Sequence, residues 1–313
     1  MTKLDRITIA SRAFNTPLML DPAKAAVIAP ILAGRLPDLP DGADIRLAGS
    51  FGEPGAEHSR PQPAAASLLG DEVHRSVQGR GGGYSVVEGA AIIPIVGSLV
   101  RRGSYVGASS GTTSYEGISA QIRSAVKDDQ VRAIVLEVDS FGGEAHGIFD
   151  LGEQIREART IKPVHAFLAE HALSSGYAIA SQADTITIPP FGYAGSIGVV
   201  CMHVDYSKML EQNGLTVTLI HSGAKKVEGN PYEPLPESVR AGLQKENDKM
   251  WLAFAEMVAK GRNGKITTEG ALKLEAGVFT GEEAVKRGLA DHVAEARAGF
   301  RALLADLNGT APV

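Results

Sequence analysis

From residue 84 onward, hydrophobic positions follow two alternating rhythms. Short runs at 91–96, 133–138, 164–168 and 185–188 are rich in apolar, often β-branched residues and are bounded by charge, glycine or proline, which predicts strands. Between them, 115–126, 147–158 and 175–183 carry apolar side chains at helical spacing. Strands and helices in regular succession imply an α/β fold whose mostly parallel sheet is flanked by helices. Residues 234–262 then read as one long amphipathic helix, with Leu243, Met250, Phe254 and Met257 near one face. Helical patterns follow at 268–274, 281–287 and 294–307, and no internal repeat stands out.

The first 84 residues have a different texture. They hold Pro17, Pro22, Pro30, Pro37, Pro40, Pro54, Pro61 and Pro63 and close on Gly79-Arg80-Gly81-Gly82-Gly83. We read 1–84 as an N-terminal arm with one helix near 22–32 and a Pro/Gly-rich linker, and 85–313 as the folded domain. The glycine run has no strand before it and no Gly-Lys-Ser/Thr after it, so it does not read as a phosphate loop.

Composition narrows the function classes. A chain of 313 residues, 44% hydrophobic, has ample material for a core. Its 31 basic and 36 acidic side chains form no basic block that would track a phosphate backbone, so nucleic acid is not an expected partner. Cys201 is the only cysteine, which excludes an intrachain disulfide and a thiolate metal cluster and points to a reducing, cytoplasmic setting. The longest apolar run, 90–100, is broken by Pro94 and Gly97 and is shorter than the ~20 residues of a membrane helix. Residues 1–10 lack the apolar core of a secretory signal, so a soluble chain without a membrane anchor is expected.

Hydrolysing an amide requires a nucleophile, a base to take its proton, and donors for the developing oxyanion. Asp139-Ser140-Phe141-Gly142-Gly143 follows an apolar strand, at the carboxyl edge of a parallel sheet where α/β proteins place ligands. Paired glycines there suit a tight turn and also let a substrate approach backbone N–H groups. Ser174 opens an apolar helix, at the positive end of its dipole and beside unpaired amides, a place that suits both an N-cap and a reactive hydroxyl. Lys226 can serve as a base only when neutral, whereas a free lysine has a pKa near ~10.4; burial lowers that value. Ser196 is a hydrogen-bonding partner that could hold the amine, and Lys225 is expected to face solvent.

In order along the chain, these motifs resemble a known family. Asp-Ser-Phe-Gly-Gly at 139–143 comes first, then Ser-Ser-Gly-Tyr at 174–177 with Ala183-Asp184 downstream. Gly-Ser-Ile-Gly-Val at 195–199 and Ser-Gly-Ala-Lys-Lys at 222–226 follow, then Val-Phe-Thr-Gly at 278–281 and Gly-Leu-Ala-Asp at 288–291. Together they resemble the signal peptide peptidase A-like (S49) serine peptidases over roughly 90–293. The resemblance implies a ClpP/crotonase-like fold, Ser174 as nucleophile, Lys226 as general base of a Ser/Lys dyad, and Ser196 as the residue orienting that lysine. It implies an oxyanion hole from backbone amides near Gly142, Gly143 and Ser175, with no metal or organic cofactor. The family usually has Gly-Gly after its nucleophile and Ser-Pro-Gly-Gly at the oxyanion loop; Ser175 and Phe141 are the departures here. Ser175 offers a second hydroxyl, and spacing to Asp184 favours Ser174.

The resemblance further implies a polypeptide substrate and a homo-oligomer. Lys-Val-Glu-Gly-Asn-Pro-Tyr at 226–232 is similar to the phage-type branch, whose members act on capsid and scaffold proteins during prohead maturation. The alternatives are a signal-peptide-degrading peptidase of the same family, or an inactive scaffold or adaptor with the same fold. Two further enzymatic readings compete. His146 or His171 could build a Ser-His-Asp triad, and Glu144 could be the pocket carboxylate of an acyl-CoA hydratase, although its place suits the start of a helix. Cys201 and Trp251 read as packing, Asp184 as fixing a turn, and His221 as a solvated loop histidine.

Overall fold

The computed structural model describes residues 83–102 and 112–310, together with one short strand, β1 (Leu18–Leu20). The helix expected near 22–32 and most of the arm lie outside the described residues. Each expected strand is present: β3 (Ala90–Val100), β5 (Ala133–Glu144), β6 (Val164–Leu173) and β7 (Thr185–Ile188). Shorter strands add to them: β2 (Ser85–Val87), β4 (Thr112–Ser114), β8 (Tyr193–Gly195), β9 (Val278–Thr280) and β10 (His292–Val293). The sheet runs β10-β7-β6-β5-β3-β2; β4 and β8 join it in parallel, while β1, β2 and β9 pair antiparallel.

Because side chains alternate across a strand, near-continuous apolar runs mean that both faces are covered. One face, with Ile93, Ile95, Ile134, Leu136, Val138 and Leu168, packs with residues of α1 (Tyr115–Lys127), α2 (Ile148–Arg159), α3 (Ser175–Ala180) and α5 (Glu237–Arg262) in one core. Ile92, Val135 and Phe167 point the other way and meet Phe300 and Leu304 of α8 (Ala296–Leu307). The short helices α4 (Ser207–Gln212), α6 (Thr268–Leu272) and α7 (Gly281–Lys286) complete the chain.

Two strands outrun their expected ends, and these extensions build the site. Residues 139–143 lie inside β5 instead of in a turn after it, because β3 continues past a register shift and supplies partners Ser98↔Gly142 and Leu99↔Gly143. Gly143 is compelled there: a Cβ would lie 1.8 Å from the Leu99 carbonyl oxygen. Glu144 ends β5 instead of starting α2, and its carboxylate accepts the Arg101 N–H at 2.8 Å. Likewise β6 reaches Leu173 because β8 pairs with its far end, from His171↔Tyr193 to Leu173↔Gly195. The long helix begins at Glu237, after Pro236, and its buried positions start only at Phe254, so Leu243 and Met250 are half-buried.

Candidate active site

Ser174 is the hinge between β6 and α3. Its backbone is held at φ 53°, ψ −120°, a region L-residues rarely occupy and which costs about 1–3 kcal/mol. Two main-chain bonds fix it: its N–H donates to the Gly195 carbonyl at 2.9 Å, and its own carbonyl accepts from Ala178 N–H at 2.8 Å. The side chain is 1% exposed, and its Oγ has no hydrogen-bond partner among the described residues. It occupies the N-cap position without capping. A strained strand-to-helix turn that aims an unsatisfied hydroxyl is the arrangement expected of a nucleophile.

Ser175, the competing hydroxyl, is the first residue of α3 and fully buried. Its Oγ also lacks a hydrogen bond of good geometry, but it lies close to the Tyr115 hydroxyl, which donates to the Glu144 carbonyl at 2.5 Å. Burial raises the Tyr115 pKa well above the ordinary phenol value, so this neighbour is a neutral donor. Of the two neighbouring serines only Ser174 has a strained backbone, since Ser175 is helical.

Ser196 is placed by the same ladder. Leu173 pairs with Gly195, so Ser174 and Ser196 are the next residues of two adjacent parallel strands, and both have φ 53°. Ser196 is buried and its N–H donates to the Gly277 carbonyl at 2.9 Å. Trp251, on α5, donates from Nε1 to the Ile197 carbonyl at 2.8 Å and straps this turn to the long helix. That contact is missing from the sequence reading, where the lone tryptophan is merely an apolar residue. A cavity of about 300 Å³ opens beside Ser196 and is lined by Asn247 and Trp251 among others; the buried Asn247 Oδ1 has no hydrogen-bond partner among the described residues.

The glycines expected to supply oxyanion donors are closer to the ladder than to a free loop. The Gly142 N–H donates to Ser140 Oγ at 3.1 Å, and that hydroxyl donates to the Gly97 carbonyl at 2.6 Å. Gly143 is flanked by β3 on one side and β1 on the other. The amino end of α3 packs against the same strand, since a Cβ on Gly176 would lie 2.9 Å from the Ser140 carbonyl oxygen. Thus β5 and the Ser174 turn are in direct contact, which is the juxtaposition an oxyanion site needs.

Lys226 is exposed in a turn within 222–229, and Lys225 beside it is exposed too. The structure therefore brings Ser174 and Ser196 together but leaves the lysine in solvent. The segment around it has Leu215, Val217, Leu219 and Ile220 exposed, the last at 97%.

The other residues singled out in the sequence have the following surroundings. The His171 ring stacks between Phe141, at 4.2 Å, and Tyr193, at 5.4 Å, and its Nδ1 lies 3.6 Å from Asp139. His146 is exposed, and the exposed His221 contacts the Gly223 carbonyl. Asp184 accepts from Val164 N–H and from Arg159, both at 2.8 Å, pinning the start of β6 to α2. Cys201 is half-buried instead of a core residue, and burial keeps its thiol protonated by raising its pKa. The Gly-Leu-Ala-Asp motif is a clamp: Tyr177 donates to the Leu289 carbonyl at 2.9 Å, and Asp291 grips the fully buried Arg262 through two 2.9 Å bonds.

The class that the elements define is an α/β protein, with a mostly parallel sheet covered on both faces and a strained serine turn at its carboxyl edge. Residues 156–306 match the model of Peptidase family S49. It is 37% identical over 286 residues to "Capsid assembly protease C" of Escherichia phage lambda, covering 91% of this chain and 62% of that protein. It is 35% identical over 302 residues to "Head-tail preconnector protein GP5" of Enterobacteria phage P21, covering 96% and 57%. The chain thus spans less than two thirds of either relative. Among solved structures, a ClpP1 mutant from Listeria monocytogenes aligns at TM-score 0.40 and 14% identity, over 67% of this chain and 94% of that one.

Proposed function

We propose that this chain is a serine endopeptidase using a Ser174/Lys226 dyad, without metal or organic cofactor, in the maturation of a phage or prophage capsid. Ser174 Oγ attacks the scissile carbonyl as the neutral Lys226 amine takes its proton. The same amine then protonates the departing nitrogen, and a water molecule hydrolyses the acyl-enzyme. Ser196 orients the amine, and amides near Gly142, Gly143 and Ser175 receive the oxyanion. The observation that carries this reading is the buried, unpartnered hydroxyl of Ser174 on a strained turn, one ladder step from Ser196.

The cavity beside Ser196, with its unsatisfied Asn247 oxygen, supports a seat for the lysine amine. Seating Lys226 requires the 199–236 segment to fold down, and its exposed apolar side chains supply a driving force once copies of the chain associate. A homo-oligomer, active only when assembled, is therefore part of the proposal. The capsid role rests on the names of the two phage relatives, and the substrate is accordingly a capsid or scaffold polypeptide. Among the described residues no helix is long and apolar enough to cross a membrane, which fits work in the cytoplasm or inside an assembling prohead.

A fluorophosphonate probe tests the nucleophile: labelling is expected in the intact protein and absent in Ser174→Ala. Hydrolysis of an unstructured protein is expected to vanish in Lys226→Ala with folding unchanged. Activity that survives Lys226→Ala but is lost in His171→Ala would replace the dyad with a histidine triad. No labelling of folded, assembled protein would leave the scaffold role.

A further inference from the structure

The short strand β1 is far from its partner in sequence and sits at the most sensitive place in the sheet. β5 is bonded to β6 only as far as Ser140↔Ala172. Beyond that point β6 ends at Leu173 and the chain turns through Ser174, while β5 continues to Glu144. One edge of this overhang is taken by β3, through Ser98↔Gly142 and Leu99↔Gly143. The other edge, on the Ser174 side, is taken by the N-terminal segment: Leu20↔Gly142, Met19↔Gly143 and Leu18↔Glu144. The pairing is antiparallel within a mostly parallel sheet. In the sequence Pro17 and Pro22 lie on either side of these three residues, and proline cannot donate to a ladder.

An open strand edge beside a nucleophile is where an extended polypeptide can bind by adding a strand, because main-chain bonds give affinity with little demand on sequence. We propose that residues 18–20 are an intramolecular occupant of this peptide lane, and that a polypeptide substrate enters in the same antiparallel sense by displacing them. The proposal deepens the peptidase reading above and rests on it for the identity of the competitor. A tethered segment faces its site at an effective concentration of roughly millimolar, so three ladder residues suffice to hold the lane against weak substrates while yielding to a good one.

The test uses the full chain with Met19→Pro, which puts a residue unfit for a ladder at the centre of β1. Hydrogen exchange of the backbone at 142–144 is expected to accelerate by about ten-fold or more in the variant. Millimolar peptide of sequence 16–22 is expected to restore protection, while the same peptide carrying proline in place of Met19 does not. The kcat/KM for an unstructured peptide should rise about three-fold or more through KM, with kcat unchanged. Equal exchange at 142–144 in both proteins, or a peptide that gives no protection, overturns the proposal. Exchange reads occupancy without needing turnover, so failure of fluorophosphonate labelling sinks the peptidase reading and leaves the strand to be judged on its own result.

Discussion

Replacing Ser174 should stabilise the protein while abolishing its chemistry. Two costs meet at this residue: a hydroxyl buried without a partner among the described residues, about 1–3 kcal/mol, and a backbone at φ 53°, ψ −120°, about 1–3 kcal/mol. Ser174→Ala removes the first and keeps the second, so a gain of about 1–3 kcal/mol is expected. Ser174→Gly removes both but adds about 0.5–1 kcal/mol of backbone entropy, for a net gain of about 1–5.5 kcal/mol. At about 2–4 °C per kcal/mol for a domain of this size, the melting temperature should rise about 2–12 °C in the alanine variant and as far or further in the glycine variant. Calorimetry with fluorophosphonate labelling in parallel reads both halves. A lower melting temperature for Ser174→Ala would mean that the hydroxyl makes a stabilising bond in the folded protein, and the picture of a strained, unsatisfied nucleophile would be wrong.

Removing one partner of the Asp291–Arg262 clamp, as in Asp291→Ala, leaves a buried guanidinium unpaired and should cost about 3–5 kcal/mol in urea denaturation. Burial raises the Asp291 pKa, but hydrogen bonds from Arg262 and Lys265 outweigh it and lower the value from 3.8 to about 2. The ionised form therefore adds stability above pH 3.8 that is lost as pH falls toward about 2, and the gap between wild type and Asp291→Asn should close over that window. Gly143→Ala drives a Cβ to 1.8 Å from the Leu99 carbonyl oxygen and should part β3 from β5, seen as loss of the cooperative melt. Gly242→Ala, on the exposed part of α5 with open space around it, should stabilise by about 0.5–1 kcal/mol. Trp251→Phe loses the bond to the Ile197 carbonyl, about 0.5–1.5 kcal/mol, and should slow labelling of Ser174 by loosening the Ser196 turn.

Local pattern was enough for the central strands, most of the helices and the order of the motifs, because side-chain period and flanking glycine, proline and charge act over a few residues. It also singled out Ser174 and Ser196, whose glycine-rich surroundings suit tight turns. The extensions of β5 and β6 lay beyond it, since residues 139–144 and 169–173 become strand only when β3 and β8 supply distant ladder partners. Glu144 looked like a helix start for the same reason. The left-handed backbone of Ser174 arises from bonds to Gly195 and Ala178, not from any preference of serine. The contacts of Trp251 and Tyr177 with carbonyls on other elements, and the pairing of residues 18–20 with β5, are likewise products of packing. By itself, then, the chain's sequence determined which elements form and in what order the candidate motifs follow one another. Only the tertiary structure decided which backbone edges are paired and which of the described hydroxyls lie buried without a partner, because both depend on groups far apart along the chain meeting across one sheet.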